Sequence, residues 1–113
     1  MNYVFDIDGT ICTDTNGDYY SAKPIVDRVN TVNRLYGEGH KITLFTARGM
    51  GSSGNNEKKA SKKWKNLTEN QLNEWGVKYH YLFLGKPAGD VYVDDKGVND
   101  QIFFNEFPAK VGD

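Results

Sequence analysis

The sequence has almost no cysteine, no long hydrophobic run and no excess of basic residues. Among its 113 residues Cys12 is the single cysteine, which excludes an internal disulfide and a cysteine-based zinc cluster. No apolar segment approaches the roughly 20 residues of a bilayer-spanning helix, and we expect no signal peptide before the first strand-like segment. Lys and Arg number 14 and Asp and Glu 15, a net charge of −1 that argues against a dedicated nucleic-acid-binding protein. We expect a cytoplasmic protein of one domain, residues 1–113, with no membrane or nucleic-acid partner.

What the sequence does contain is a series of strand-like segments alternating with helix-like ones. Apolar runs predict strands at residues 2–6, 41–46 and 79–84, and two shorter strands at 91–93 and 102–104. Strands that alternate with helices are typical of a parallel sheet with crossover helices. The pattern therefore predicts an α/β domain.

Two helices and a hairpin are expected between these strands. Apolar residues at helical spacing follow Pro24, a residue that suits the first turn of a helix. A second helical pattern covers residues 60–75, and a capping-box pattern indicates an interruption near Asn66. The dipeptide Asn16-Gly17 predicts a small hairpin after the first strand.

Polar side chains stand at the carboxyl ends of four expected strands. They are Asp6 and Asp8, Thr46 and Arg48, Lys86, and Asp94 and Asp95. Ligands of open parallel sheets bind beyond these ends, and crowded carboxylates there would be relieved by a hard cation such as Mg²⁺. One carboxylate would then attack phosphorus while a second transfers protons. Thr46 and Lys86 would stabilise the phosphoryl group.

Four short segments carry a resemblance to a known family. The chain reads VFDIDGT at 4–10, LFTARG at 44–49, GKP at 85–87 and VYVDD at 91–95. In this order the segments resemble the motifs of the haloacid dehalogenase-like (HAD) superfamily of phosphohydrolases. The resemblance implies a Rossmann-like, three-layer α/β/α domain with a mainly parallel sheet, in which the hairpin of residues 13–20 is a flap. The gaps between the segments leave no room for a cap domain.

The resemblance also implies roles for individual residues. Asp6 would be the nucleophile and Asp8 the general acid and base, with Thr46 and Lys86 as further catalytic residues. Substrate or phosphate would be bound by Gly9, Thr10, Ala47 and Arg48. Mg²⁺ would be held by the Asp6 carboxylate, the Asp8 main-chain carbonyl and Asp94, and Asp95 would bind it through water or support its ligands. The implied activity is hydrolysis of a phosphomonoester through an aspartyl-phosphate.

Several alternatives stay open at this stage. Lys86 precedes Asp94 by only eight residues, a shorter spacing than in many relatives, so Lys62 or Lys63 is a fallback for the lysine role. Arg48 fits either a phosphate contact or a structural ion pair.

The substrate and the partners are also open. A finer similarity is to small phosphatases of capsule or surface-polysaccharide biosynthesis, which implies a phosphorylated sugar or polyol as the substrate. A neighbouring subunit is one candidate to cover the open site, and Tyr19, Tyr20 and Trp64 are candidates for that interface. A phosphotransferase or mutase, or a non-catalytic phosphate-binding protein, is the alternative to a hydrolase.

Overall fold

A three-stranded parallel sheet forms the centre of the structure, a computed structural model that describes residues 1–107. Its strands are β1 (Asn2–Phe5), β2 (Lys41–Thr46) and β3 (Tyr81–Leu84), in the order β1-β2-β3. All three strands run in the same direction, so their carboxyl ends meet at one edge of the sheet. The expectation for β2 is confirmed, and β1 and β3 are one and two residues shorter than the sequence predicts.

Three helices accompany the sheet. They are α1 (Val26–Gly37), α2 (Glu57–Glu74) and α3 (Asp100–Glu106). The side chain of Asn56 caps α2 by accepting a hydrogen bond from the Lys59 backbone N–H. The helix is followed by Gly76, whose φ of 69° suits the left-handed turn at a helix end. The first helix begins at Val26, two residues after the expected Pro24.

The hydrophobic core lies on one face of the sheet. Register places Phe5 opposite Leu44, and Leu44 opposite Leu82, so these side chains share that face. Val32 of α1 and Leu72 of α2 are fully buried in the same core, and three phenylalanines of the C-terminal part pack against it. These three are Phe103, Phe104 and Phe107.

The opposite face of the sheet is open. Val4, Tyr81 and Phe83 point to this side and are 64%, 51% and 54% exposed. An α/β domain with a parallel sheet and no cap domain is confirmed for residues 1–107. The helices of this described part pack on the core face, so the helical layer expected on the second face is not among them.

The two short strands expected near the C-terminus are wrong. Residues 91–93 form an exposed loop, and residues 102–104 lie within α3. The side chain of Asn99 accepts a hydrogen bond from the Gln101 backbone N–H and so starts this helix. Asp100 in its first turn forms a 2.7 Å ion pair with Arg28 of α1, which fixes α3 beside the core.

The expected hairpin and the expected helix interruption are also wrong. Asn16 and Gly17 do form a turn, with φ values of 53° and 93°, but the residues beside it do not pair as strands. Tyr19–Ser21 form a 3₁₀ helix instead. The second helix continues through Asn66 without a break. No helix among residues 1–107 has the length and apolar character needed to cross a bilayer.

Candidate active site

Asp6 and Lys86 meet at the carboxyl edge of the sheet. Asp6 follows β1 directly, Lys86 is two residues beyond β3, and Lys86 Nζ lies 3.5 Å from Asp6 Oδ1. The Thr10 hydroxyl donates a 3.3 Å hydrogen bond to Asp6 Oδ2. Burial raises the pKa of Asp6, although Lys86 and the Ile7 backbone N–H act in the opposite direction. Asp6 is thus a partly desolvated carboxylate facing one cation.

Asp8 is held by a buried arginine. Arg48 is 1% exposed, and its guanidinium donates from Nε to Asp8 Oδ2 at 2.9 Å and from Nη2 to Oδ1 at 3.0 Å. Cys12 lies beneath Asp8 and donates to Oδ1 from its thiol at 3.5 Å. Burial raises the pKa of this thiol to about 12, so Cys12 is a buried and unreactive cysteine.

The other donors of Arg48 point to α2. Nη1 donates to Thr68 Oγ1 at 3.2 Å and to Gln71 Oε1 at 2.6 Å. Thr68 and Gln71 are buried. Their spacing resembles a capping box, so no role in the site could be predicted for them from the sequence. Their spacing from Trp64, four and seven residues, places them on the buried stripe of the helix. Polar residues in such a stripe indicate a buried polar partner, here Arg48.

Arg48 therefore occupies the ion-pair position rather than a phosphate-binding one. Its backbone N–H donates to Thr46 Oγ1 at 3.1 Å, which joins it to the last residue of β2. Thr46 is 1% exposed, and its carbonyl accepts a 3.1 Å hydrogen bond from the Lys86 backbone N–H. Thr46 thus links the lysine-bearing segment to the strand end that supports Arg48.

The segment after β3 wraps around the Lys86 side chain. Lys86 Nζ lies 4.3 Å from the centre of the Tyr92 ring. The Tyr92 hydroxyl donates to the Pro87 carbonyl at 2.6 Å and accepts from the Gly89 backbone N–H at 3.0 Å. Tyr92 therefore closes a short loop and gives the ammonium group an aromatic face. No motif of the sequence predicts this role for Tyr92.

The flap loop, residues 13–22, reaches the site through Tyr19. The Tyr19 carbonyl accepts a 2.7 Å hydrogen bond from Gln71 Nε2, and its hydroxyl accepts a 3.0 Å bond from the Gly49 backbone N–H. Its ring lies 5.0 Å from the Arg48 guanidinium carbon and 4.7 Å from the Trp64 ring. The loop is thus fixed to α2 and to the segment after β2.

Three further residues expected to bind phosphate have different surroundings. The backbone N–H groups of Gly9 and Thr10 donate to the carbonyls of Cys12 and Ile7 at 2.9 and 3.0 Å. These two donors are therefore used within the turn, although the φ of 80° at Gly9 does require the expected glycine. The Ala47 carbonyl accepts a bond from the Met50 N–H. Thr10 contributes to the site through its hydroxyl.

The acidic pair Asp94 and Asp95 does not join Asp6. Both residues are exposed, and Asp94 accepts hydrogen bonds from the backbone N–H groups of Lys96 and Gly97. These bonds lower the pKa of Asp94. In the described part of the chain, no three His, Cys, Asp or Glu side chains are grouped so that they could hold a metal ion. The donor atoms assembled at the strand ends do not make the expected Mg²⁺ site.

The geometry distinguishes between the lysine candidates. Lys62 and Lys63 are exposed on α2, and Lys63 Nζ lies 5.2 Å from the centre of the Trp64 ring. Lys86 is the candidate that contacts Asp6. Trp64 itself is 8% exposed, so it is not free to form a subunit interface as expected, whereas Tyr20 is 73% exposed.

Comparisons with known proteins give the fold. No protein-family model matches the chain, and no curated protein sequence matches it significantly. A crystal structure of a Vibrio cholerae protein superposes with a TM-score of 0.84 at 24% identity, covering 98% of this chain and 89% of the other. The D,D-heptose 1,7-bisphosphate phosphatase from B. bronchiseptica, crystallised with magnesium and phosphate, gives 0.53 at 14% identity. That match covers 79% of this chain and 51% of the phosphatase. At these identities the two matches show a shared fold, the Rossmann-like α/β domain that the sequence predicts.

Proposed function

We propose that the protein is a Mg²⁺-dependent phosphomonoester hydrolase that works through an aspartyl-phosphate on Asp6. The observation that carries the proposal is the contact between Asp6 and Lys86 at the carboxyl edge of the sheet, 3.5 Å apart, with Asp8 oriented beside them by Arg48. A nucleophilic carboxylate, a second carboxylate and a cation at one strand edge are the groups that phosphoryl transfer requires.

The proposed reaction has two steps. In the first, an Asp6 oxygen attacks phosphorus, the bond from phosphorus to the ester oxygen breaks, and protonated Asp8 gives its proton to that oxygen. In the second, Asp8 takes a proton from water, which attacks the aspartyl-phosphate and releases inorganic phosphate and Asp6. Lys86 stabilises the negative charge of the phosphoryl oxygens in both steps.

The geometry of Asp8 supports this role. Arg48 uses one lone pair on each Asp8 oxygen, and a carboxylate oxygen has two. The Cys12 thiol uses the second lone pair of Oδ1, so the second lone pair of Oδ2 is the one available to a proton while the ion pair persists. Asp8 can exchange protons with substrate without leaving its support.

Mg²⁺ dependence is supported by the heptose bisphosphate phosphatase of the same fold, which was crystallised with magnesium and phosphate. An ion next to Asp6 would neutralise phosphoryl charge. Because the acidic pair lies apart from Asp6 in this structure, we assign the ion no ligand geometry. If Asp94 is a ligand, Mg²⁺ raises the melting temperature of the wild type and not that of Asp94→Asn. Asp90→Asn, another exposed aspartate, is the control.

The proposed substrate is a small phosphorylated sugar or polyol of surface-polysaccharide biosynthesis. The support is the finer sequence resemblance and the heptose phosphatase among the proteins of this fold. We also propose that a second copy of the chain covers the open site, which the exposed side chain of Tyr20 in the flap loop supports. Elution as a monomer with light scattering would contradict the second copy.

A phosphate-release screen tests the activity. The purified chain is incubated with sugar, polyol and nucleotide monophosphates and with p-nitrophenyl phosphate, with Mg²⁺ or with chelator. We expect Mg²⁺-dependent release of phosphate that Asp6→Asn abolishes and that Asp27→Asn, a first-turn residue of α1, retains. Full activity of Asp6→Asn would reject the mechanism.

A second candidate is a phosphate-binding protein without turnover. The observation that favours it is the position of Asp94 and Asp95, exposed and apart from Asp6. Binding of phosphate in calorimetry with no release from any ester would establish it. Transfer of the phosphoryl group to an added sugar, rather than to water, would instead identify a phosphotransferase or mutase.

A further inference from the structure

Arg48 is a buried residue that supports the side chain of Asp8, and it differs in this from an arginine in a surface ion pair. The side chain is buried, and it donates to five acceptor atoms: two oxygens of Asp8, the Thr68 hydroxyl, the Gln71 amide oxygen and Cys12 Sγ. A buried guanidinium costs free energy unless its donors are paired. Here the pairing is supplied by two polar residues that α2 places in its otherwise apolar stripe. Two polar residues on the buried side of α2 are thus partners of this one arginine.

The bidentate contact fixes the direction of the Asp8 carboxylate. Nε and Nη2 of Arg48 bind different Asp8 oxygens at 2.9 and 3.0 Å, so the two planar groups lie fork to fork. A lysine at this position could supply the charge but not two parallel bonds. Because proton transfer depends on placement to within about 1 Å, the orientation of Asp8 depends on the shape of the guanidinium.

The same support holds the flap loop. Gln71 accepts from Arg48 through Oε1 and donates to the Tyr19 carbonyl through Nε2. One amide thus joins the arginine behind Asp8 to the loop in front of the site. Through this contact the position of Asp8 and the position of the flap loop are set by a single side chain of α2.

We propose that Arg48, held by Thr68 and Gln71, is the positioning residue for Asp8, and that Gln71 couples the orientation of Asp8 to the flap loop. The inference rests on the proposed function, since it assigns the support of the residue that exchanges protons with the ester. Arg48 does not touch the substrate and acts through Asp8.

The experiment compares phenyl phosphate with p-nitrophenyl phosphate. The two esters differ in how strongly the departure of the leaving group depends on protonation by a general acid. Phenolate is a poor leaving group, and p-nitrophenolate is a good one that leaves without a proton. The kcat/KM for each ester is measured for the wild type, for Arg48→Lys and for the control Arg34→Lys, whose arginine pairs with Glu38 on the surface of α1. This constant reports the phosphoryl transfer to Asp6 and not the later hydrolysis.

With Arg48→Lys we expect kcat/KM for phenyl phosphate to fall about 10- to 100-fold, and that for p-nitrophenyl phosphate to fall less than about threefold. Asp8→Asn should give the same selective loss, and the double variant should be no worse than Asp8→Asn alone. Arg34→Lys should leave both constants unchanged. Equal losses on the two esters, or additive losses in the double variant, would overturn the inference and leave Arg48 a purely structural residue.

Two further variants keep the test valid if Arg48→Lys does not fold. Thr68→Val and Gln71→Met each remove one bond to Nη1 while keeping side-chain volume, and they should shift the ratio of the two constants about threefold or more in the same direction. Absence of any shift in a folded variant contradicts the proposal. Failure of the proposed function gives a different result, a wild type that releases no phosphate from either ester.

Discussion

The ammonium group of Lys86 contacts the carboxylate of Asp6 although their strands are not neighbours. β1 and β3 lie on either side of β2, and the Lys86 side chain reaches across the strand ends to within 3.5 Å of Asp6. The Thr46 carbonyl holds the Lys86 backbone N–H, and the Tyr92 ring of the loop that follows lies 4.3 Å from Nζ. Substitution of Tyr92 therefore tests what the aromatic ring contributes to the position of the Lys86 ammonium group.

Replacement of Tyr92 by leucine should weaken the binding of phosphate. The change removes the aromatic face beside Lys86 and both hydrogen bonds that close the loop. A partly exposed cation–π contact contributes about 0.5–1 kcal/mol, so we expect the inhibition constant of inorganic phosphate to rise about two- to fivefold. Tyr92→Phe, which keeps the ring, should show a smaller rise. Tyr81→Leu, on the open face of the sheet, is the control; a constant unchanged in Tyr92→Leu would contradict the prediction.

Asp6→Asn should make the fold more stable at neutral pH. Because the folded state raises the pKa of Asp6, the stability linked to its protonated form is complete below the usual carboxyl pKa of about 3.9 and is lost as the pH rises through the raised value. Asparagine does not ionise and keeps that stability. Urea denaturation in chelator should show a higher free energy of unfolding for the variant at pH 7 and a difference that shrinks towards pH 4. A variant less stable than the wild type at pH 7 would contradict this sign.

Asp8→Asn should have the opposite effect on stability. The substitution removes the counter-charge of Arg48, whose side chain is fully buried while that of Asp8 is 17% exposed. An uncompensated buried charge costs on the order of 3 kcal/mol. Denaturant unfolding at pH 7 should show a loss of this size, and Asp14→Asn, an exposed aspartate of the flap loop, should stay close to the wild type. A loss below about 1 kcal/mol would mean that Arg48 does not depend on Asp8 for its charge balance.

Gly49→Ala should be strongly destabilising. Gly49 has a φ of 77°, and a Cβ placed on it would lie 2.4 Å from Trp64 Cδ1. Strain in the left-handed region and overpacking against the indole should together cost about 2–4 kcal/mol. Gly51→Ala is the matched control, since nothing lies within 4 Å of a Cβ there. Melting temperatures of the two variants measure the difference, and equal values would contradict the contact.

Most residues at the carboxyl edge of the sheet could be predicted from the sequence, because open parallel sheets bind ligands beyond the carboxyl ends of their strands. Asp6, Thr46 and Lys86 come at the ends of three apolar runs, and their placement follows from strand direction alone. The roles of Gln71 and Tyr19 depend instead on which face of a helix meets which loop. Such contacts depend on the tertiary structure. The signal in the sequence was the helical spacing that places Gln71 on the buried side of α2.

The errors near the C-terminus come from short apolar runs. The segments 91–93 and 102–104 have strand-like residues, but three residues carry no usable period. Phe103 and Phe107 stack at a helical spacing of four, with ring centres 4.8 Å apart, and Asn99 caps the helix. Tyr92 uses its hydroxyl within its own loop, a contact that no pattern along the chain predicts.

Trp64 is an intrinsic fluorescent probe beside the site. The indole packs on Gly49 and lies 4.7 Å from the Tyr19 ring and 5.7 Å from the Tyr20 ring, so its emission depends on where the flap loop stands. The second indole of the chain, Trp75, packs against the core and can be replaced by phenylalanine to leave a single emitter. A displacement of the loop on addition of phosphate would then be measurable by fluorescence without any attached dye.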